Sequence, residues 1–113
     1  MKNVAPLPGT PVRGSRSGRS IMALLDLIGR RGSLKILWVL REETLTFREL
    51  GAAAELNPST LNSRLRELRA AGIVVHDGGY RLTPAGTGLL AALTPLLGWA
   101  ASWQPPEATF EAD

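Results

Sequence analysis

The sequence predicts a mainly α-helical protein with one small β-hairpin, and three observations carry that prediction. Apolar residues recur at helical spacing from Ser20 to about Ala71, and again after Thr83. Between these stretches falls a β-branched run, Ile73-Val74-Val75, then Asp77-Gly78-Gly79, then Tyr80-Arg81-Leu82, which is the pattern of a hairpin. Two helices joined by a tight turn come directly before it. A helix-turn-helix followed at once by a short hairpin is the order of a winged helix-turn-helix, so the expected fold is α+β of that architecture.

Length and composition narrow the function. The 113 residues suffice for a single domain. Thirteen basic side chains outweigh ten acidic ones, a formal charge of +3. There is no cysteine, which excludes disulfides, thiolate metal sites and thiol redox switches. The lone histidine, His76, has no partner at metal-ligand spacing, so no metal or cofactor is expected and His76 reads as an exposed polar residue. Residues 1–19 read as a basic flexible arm, 20–104 as the folded domain and 105–113 as an acidic tail. Lys2, Arg13, Arg16, Arg19, Arg30 and Arg31 face only Asp26 in the first 31 residues, while Glu107, Glu111 and Asp113 close the chain. Such an arm either tracks a phosphate backbone or is simply solvated. No apolar stretch of signal-peptide type occurs in Met1 to Arg19, and a cytoplasmic location is expected.

The first helix carries Met22, Leu24, Leu25, Leu27 and Ile28 and stops at Gly29. Ser33 is a candidate cap for a second helix through Arg41, with Leu34, Leu37, Trp38 and Leu40 inward and Ile36 and Val39 on its flanks. Thr46 and Glu49 form a capping box at the start of a third, whose Ala54 is small enough for a close crossing. Glu55-Leu56-Asn57-Pro58 is then a turn ending in a helix start, with Asn57 as N-cap and Pro58 as the first helical residue. The fourth helix runs to about Ala71, ending at Gly72. It buries a stripe of Leu61, Leu65 and Leu68, and shows Ser59, Ser63 and Arg66 on the opposite side.

Thr83 and Pro84 open the last helix, which Pro95 should kink. No charged residue occurs from Leu82 to Pro106. A membrane span needs about 20 mostly apolar residues, but Gly86, Gly88, Thr94, Pro95, Gly98 and Ser102 dilute this run, so a buried helix is expected instead and no membrane partner. Leu89, Leu93 and Leu97 make one stripe, and Leu96, Trp99 and Trp103 a second. A domain this small does not bury both alone, and a homodimer seam solves the difficulty.

These stretches resemble the HxlR-type family of bacterial winged-helix transcription regulators, relatives of the MarR group. The resemblance is carried by MALLDLIG (22–29), LKILWVL (34–40), LTFREL (45–50), LNSRLRELRAAG (61–72), YRLTPAG (80–86) and PLLGW (95–99), and it spans about Pro11 to Trp103. It implies a homodimer built from the first and last helices, with Met22, Leu25, Leu89, Leu93, Leu96, Leu97, Trp99 and Trp103 in the seam. Two winged motifs would then read adjacent major grooves of double-stranded DNA.

The chain departs from the family pattern twice. The sensing cysteine often found near the start of the chain is missing, which removes redox sensing of that type. Many members carry tryptophan at the start of the second helix, where this sequence has Gly32. That leaves looser packing, a small cavity, or filling by Trp99 or Trp103 as the alternatives.

In a DNA-binding protein of this order, Ser59, Thr60, Asn62 and Ser63 occupy the half of the recognition helix that enters the major groove first. Asn62 is suited to an adenine, and Arg66 to a guanine or a phosphate. Arg48, Arg64 and Arg69 are placed to hold phosphate, although Arg64 also stands three residues from Glu67, an ion-pair spacing. Arg81 on the wing would enter the minor groove or clamp the backbone, or else be solvated. A small-molecule effector is a further candidate partner, but no residue pattern specifies it. Repression by promoter occlusion is the simplest mode of action. The rival reading is a winged-helix protein-interaction module without specific DNA binding. No catalytic constellation can be assembled, so an enzyme is not expected.

Overall fold

The protein is described here by a computed structural model covering residues 5–13, 16 and 18–106. Lys2 and the acidic residues Glu107, Glu111 and Asp113 lie outside the described residues. Six helices and one hairpin follow in the order α1 (Ser20–Ile28), α2 (Ser33–Val39), α3 (Phe47–Ala54), α4 (Pro58–Ala70), β1 (Val74–His76), β2 (Tyr80–Leu82), α5 (Pro84–Leu93) and α6 (Pro95–Ser102). This is the winged helix-turn-helix order. One core joins Leu27 of α1, Ile36, Leu37 and Leu40 of α2, Leu50 of α3, the α4 leucines, and Val74, Tyr80 and Leu82 of the hairpin.

Three side-chain caps set helix starts where the sequence places them. Thr46 Oγ1 accepts from the Glu49 amide at 3.1 Å, and the Thr46 amide donates to Glu49 Oε1 at 2.9 Å, closing the capping box. Asn57 Oδ1 accepts from the Thr60 amide at 2.8 Å, and Thr83 Oγ1 from the Gly86 amide at 3.0 Å. Between α3 and α4 the chain turns through Glu55, a non-glycine residue in left-handed backbone (φ 57°). A Cβ on Gly51 would come within 3.2 Å of Leu61 Cδ2, so the glycine leaves room for this leucine of α4 beside α3. Ala54 is buried beside it.

Two helix boundaries differ from expectation. Gly29 closes α1 in right-handed backbone (φ −79°), so it does not act through a left-handed stop. The cap of α2 is Gly32, in left-handed backbone (φ 89°), and Ser33 is the fully buried first residue of that helix. The inward face of α2 is accordingly Ser33, Ile36, Leu37 and Leu40, while Leu34 and Trp38 lie outside at 45% and 46% exposure. Both faces of α2 are apolar at spacings of three and four, so periodicity does not distinguish them; contact with α1 and α3 does.

The hairpin is antiparallel, pairing Val74 with Leu82, Val75 with Arg81 and His76 with Tyr80. The first strand begins at Val74; Ile73 just before it donates its amide to the Leu68 carbonyl at 2.9 Å and accepts from the Thr83 amide at 2.9 Å, in register with the hairpin. Tyr80 and Leu82 point inward and Arg81 outward, as the alternation predicts. Gly78 and Gly79 supply the positive φ of the turn, 66° and 126°. Leu45 pairs with Tyr80 through two backbone hydrogen bonds, of 3.0 and 2.7 Å, adding a short rung to the wing that the sequence pattern does not show.

The C-terminal run divides at Thr94, whose hydroxyl donates to the Leu90 carbonyl at 3.0 Å. Pro95 then opens α6 at a position where its missing N–H costs little. In the single chain none of the α6 residues is buried, and Leu96, Leu97, Trp99 and Trp103 are 56–61% exposed; these belong to the stripes for which the sequence expects a second copy. Among the described residues, Pro84–Ser102 is the one helical stretch long and apolar enough to cross a membrane.

Candidate nucleic-acid interface

The helix-turn-helix presents α4 with its leucine stripe buried and the opposite side open. Ser59, Asn62, Arg66 and Arg69 are exposed, and Thr60 and Ser63 are half-buried. Residues 59, 62, 63 and 66 recur at three and four, so they share the outer face. Capping by Asn57 fixes where α4 begins and therefore which side chains occupy its first turns. Arg48 is exposed on α3. Arg81 is exposed on the wing, its Nη2 3.5 Å from Asp77 Oδ2, a loose contact between two solvated groups. His76 is exposed and stacks on Tyr80 with ring centroids 4.0 Å apart.

Arg64 sits differently from its neighbours. Its Nε is 3.0 Å from Glu67 Oε1, and its side chain is only 15% exposed. Of its two sequence readings, the structure places it in the intrahelical ion pair. Glu67 is itself buried and also accepts from Arg30 Nη1 at 2.8 Å. Arg30 in turn lies against Asp26, which Arg13 contacts through both its side chain and its backbone amide. Arg13, which lies in the stretch that the sequence reads as a flexible arm, is thus docked on α1. Arg16 is exposed, and so is Arg19, which precedes α1.

Burial works to raise the Asp26 carboxyl, but hydrogen bonds from the Arg13 and Arg30 side chains and the Arg13 amide, with the charge of Arg30, outweigh it. The net effect holds Asp26 below the usual carboxylate range. Sequence reasoning detects the Arg64–Glu67 spacing but not the link to Arg30, which is 37 residues away.

A second feature is an apolar cavity of about 250 Å³ between α2 and α5–α6, lined by Leu34, Trp38, Leu90, Leu93, Thr94, Leu96 and Leu97. The Arg41 guanidinium lies 4.0 Å from the centroid of the Trp38 ring. Among the described residues no group of three or more His, Cys, Asp or Glu side chains is arranged to hold a metal ion.

Fold and site together define a winged helix-turn-helix protein with an open, hydrogen-bonding recognition helix. A profile described as "HxlR-like helix-turn-helix" matches residues 27–108, and the chain belongs to that family. It is 27% identical to the uncharacterized HTH-type transcriptional regulator MJ0925 of Methanocaldococcus jannaschii, over 74% of this chain and 84% of that protein. It is 35% identical to the uncharacterized HTH-type transcriptional regulator Rv3095 of Mycobacterium tuberculosis, over 78% of this chain; the match spans 61% of that longer protein. Among solved structures it is similar to quinone-bound YodB of B. subtilis, with a TM-score of 0.70 and 28% identity, covering 74% of this chain and 98% of that one. Membership makes the chain a DNA-binding transcriptional regulator.

Proposed function

We propose that the protein acts as a homodimer on a pseudo-palindromic operator and represses by occupying the promoter. The observation that carries the reading is the outer face of α4, where Ser59, Asn62 and Arg66 stand exposed opposite a fully buried leucine stripe. Arg48 and Arg69 supply phosphate contacts, and Arg81 places a cation on the wing. Arg64 contributes chiefly through Glu67.

Dimerisation is supported by large apolar side chains exposed at both ends of the domain. Ile21 and Leu25 on α1 are 56% and 50% exposed, and Leu96, Leu97, Trp99 and Trp103 form a further set on and beside α6. Met22, Leu89 and Leu93 are half-buried beside them. A seam of α1 and α5–α6 would cover these side chains and account for the apolar C-terminal run without a membrane.

The cavity at Leu34 and Trp38 is the candidate effector site. Its lining and the quinone-bound neighbour favour a small planar apolar ligand, held without a thiol adduct because the chain has no cysteine.

The test is to incubate the purified protein with sheared genomic DNA from its source at near-physiological salt and sequence the retained fragments. Enrichment of inverted repeats, with half-sites about one helical turn apart, is the expected result. Uniform recovery would remove the operator reading. No retention would favour a protein-interaction role.

A further inference from the structure

The recognition helix is not held by leucines alone. Glu67 on its inner side and Asp26 on α1 are both buried carboxylates, and Arg30, in the link between α1 and α2, stands between them. Arg30 Nη1 donates to Glu67 Oε2 at 2.8 Å, while its Nε and Nη2 lie 3.4 Å from the two Asp26 oxygens. Arg13 engages the same carboxylate, donating from Nε to Oδ1 at 2.9 Å and from its amide to Oδ2 at 3.2 Å. A continuous set of charge contacts therefore runs from the N-terminal segment through α1 to α4.

Apolar burial is non-directional and tolerates small rotations of a packed helix. A planar guanidinium is not so tolerant, because its donors point in fixed directions. Buried ion pairs also add little net stability over apolar residues of similar size, and in some proteins they serve to specify geometry. Here the geometry specified is that of α4 relative to α1.

We propose that Arg30 is a positioning residue for operator reading: by joining Asp26 to Glu67 it fixes the orientation of α4 against α1, and so the half-site spacing the dimer accepts. This rests on the homodimer reading, in which α1 belongs to the seam. A dimer reading adjacent major grooves needs its two recognition helices about 34 Å apart, and one base pair more or less both displaces and rotates the second half-site. A rigid linkage rejects that change, whereas a helix free to rock follows it.

The experiment first selects operator DNA from a random duplex library with the native protein. Affinities are then measured for that operator, for versions with the half-site spacing changed by one base pair either way, and for a single half-site. Native protein, Arg30→Lys and Arg30→Gln are compared. The native protein should lose about tenfold or more in affinity for each altered spacing, a penalty of the size of a mismatched base pair. Arg30→Gln should cut that discrimination to below about threefold while its single half-site affinity stays within about twofold. Arg30→Lys, which keeps the charge but not the fork, should fall between.

Equal weakening by Arg30→Gln on every DNA, the half-site included, would overturn the assignment and leave a purely structural role. If Arg30→Gln does not fold, Arg13→Gln carries the test, since its side chain is 71% exposed; it should relax spacing in the same direction, and unchanged discrimination would overturn the proposal. Failure of the dimer reading is recognised separately, because the native protein would then select no inverted repeat.

Discussion

Gly32 and Leu56 meet so closely that a Cβ on the glycine would stand 2.8 Å from Leu56 Cδ1. Gly32 caps α2 in left-handed backbone, and Leu56 comes from the turn between α3 and α4. The space beside this glycine, where the family resemblance implies a tryptophan, is thus occupied by Leu56. Trp99 and Trp103 do not fill it: both are about 60% exposed.

Replacing this glycine should therefore cost stability on two counts. Gly32→Ala places a side chain on a backbone that L-residues avoid, at a cost of about 1–2 kcal/mol, and presses on Leu56 as well. Gly32→Trp should be worse, because Leu56 would have to leave. Urea denaturation followed by circular dichroism measures both, and an alanine variant as stable as the native protein would contradict the account.

Glu67 offers a second test. Glu67→Gln should destabilise by about 1–3 kcal/mol, since it sets Arg30 and Arg64 beside a neutral amide in a largely buried setting while Arg30 keeps Asp26. Substituting the exposed Glu55 by glutamine makes the control, with an expected change within about 0.5 kcal/mol.

The acid limb of stability should report Asp26. Its carboxyl has a lower pKa in the folded protein than its ordinary value of 3.8, so between the two values the unfolded chain binds more protons. Its contribution is complete above the ordinary value and is lost as pH falls through the lower, folded one. Asp26→Asn should remove that pH-dependent component and flatten the stability profile below about pH 4. An unchanged slope in a titration of melting temperature against pH would show that other carboxylates dominate.

On α4, two arginines should behave differently. Arg66→Ala should relax sequence preference by about 1–3 kcal/mol at one base pair, while Arg69→Ala weakens binding about equally on all sequences and lowers the salt slope by about one. Fluorescence titrations against the selected operator and single-base variants, at several salt concentrations, separate the two. If Arg66→Ala weakens every sequence equally, it too is a phosphate contact.

The exposed tryptophan cluster predicts an assembly phenotype. Trp99 and Trp103 stack with ring centroids 5.3 Å apart on the open side of the C-terminal run. Trp99→Arg should shift the protein to monomer in sedimentation velocity while its circular dichroism stays native, since Trp99 is 60% exposed in the single chain and lies outside the core cluster. A monomeric native protein would overturn the seam.

Much of the fold is written in short-range chemistry, which the sequence by itself determines. The Thr46–Glu49 box, the Asn57-Pro58 and Thr83-Pro84 starts, the Leu61–Leu65–Leu68 stripe and the inward alternation of Tyr80 and Leu82 each involve residues a few positions apart. Local hydrogen-bonding need and periodicity decide them, and with them the outward face of α4. Other features depend on which surfaces meet. Periodicity allows either apolar face of α2 to be inward, and packing against α1 and α3 selects Ile36 over Trp38. Leu45 joins the wing only because the fold brings it to Tyr80. The Arg64–Glu67 pair is local and legible from spacing, whereas folding alone brings Arg13 to Asp26 and Arg30 to Glu67, 37 residues away. Local pattern says which side of a helix is apolar or charged; only the tertiary arrangement decides what each side will touch, because burial and ion pairing depend on neighbours distant in the chain.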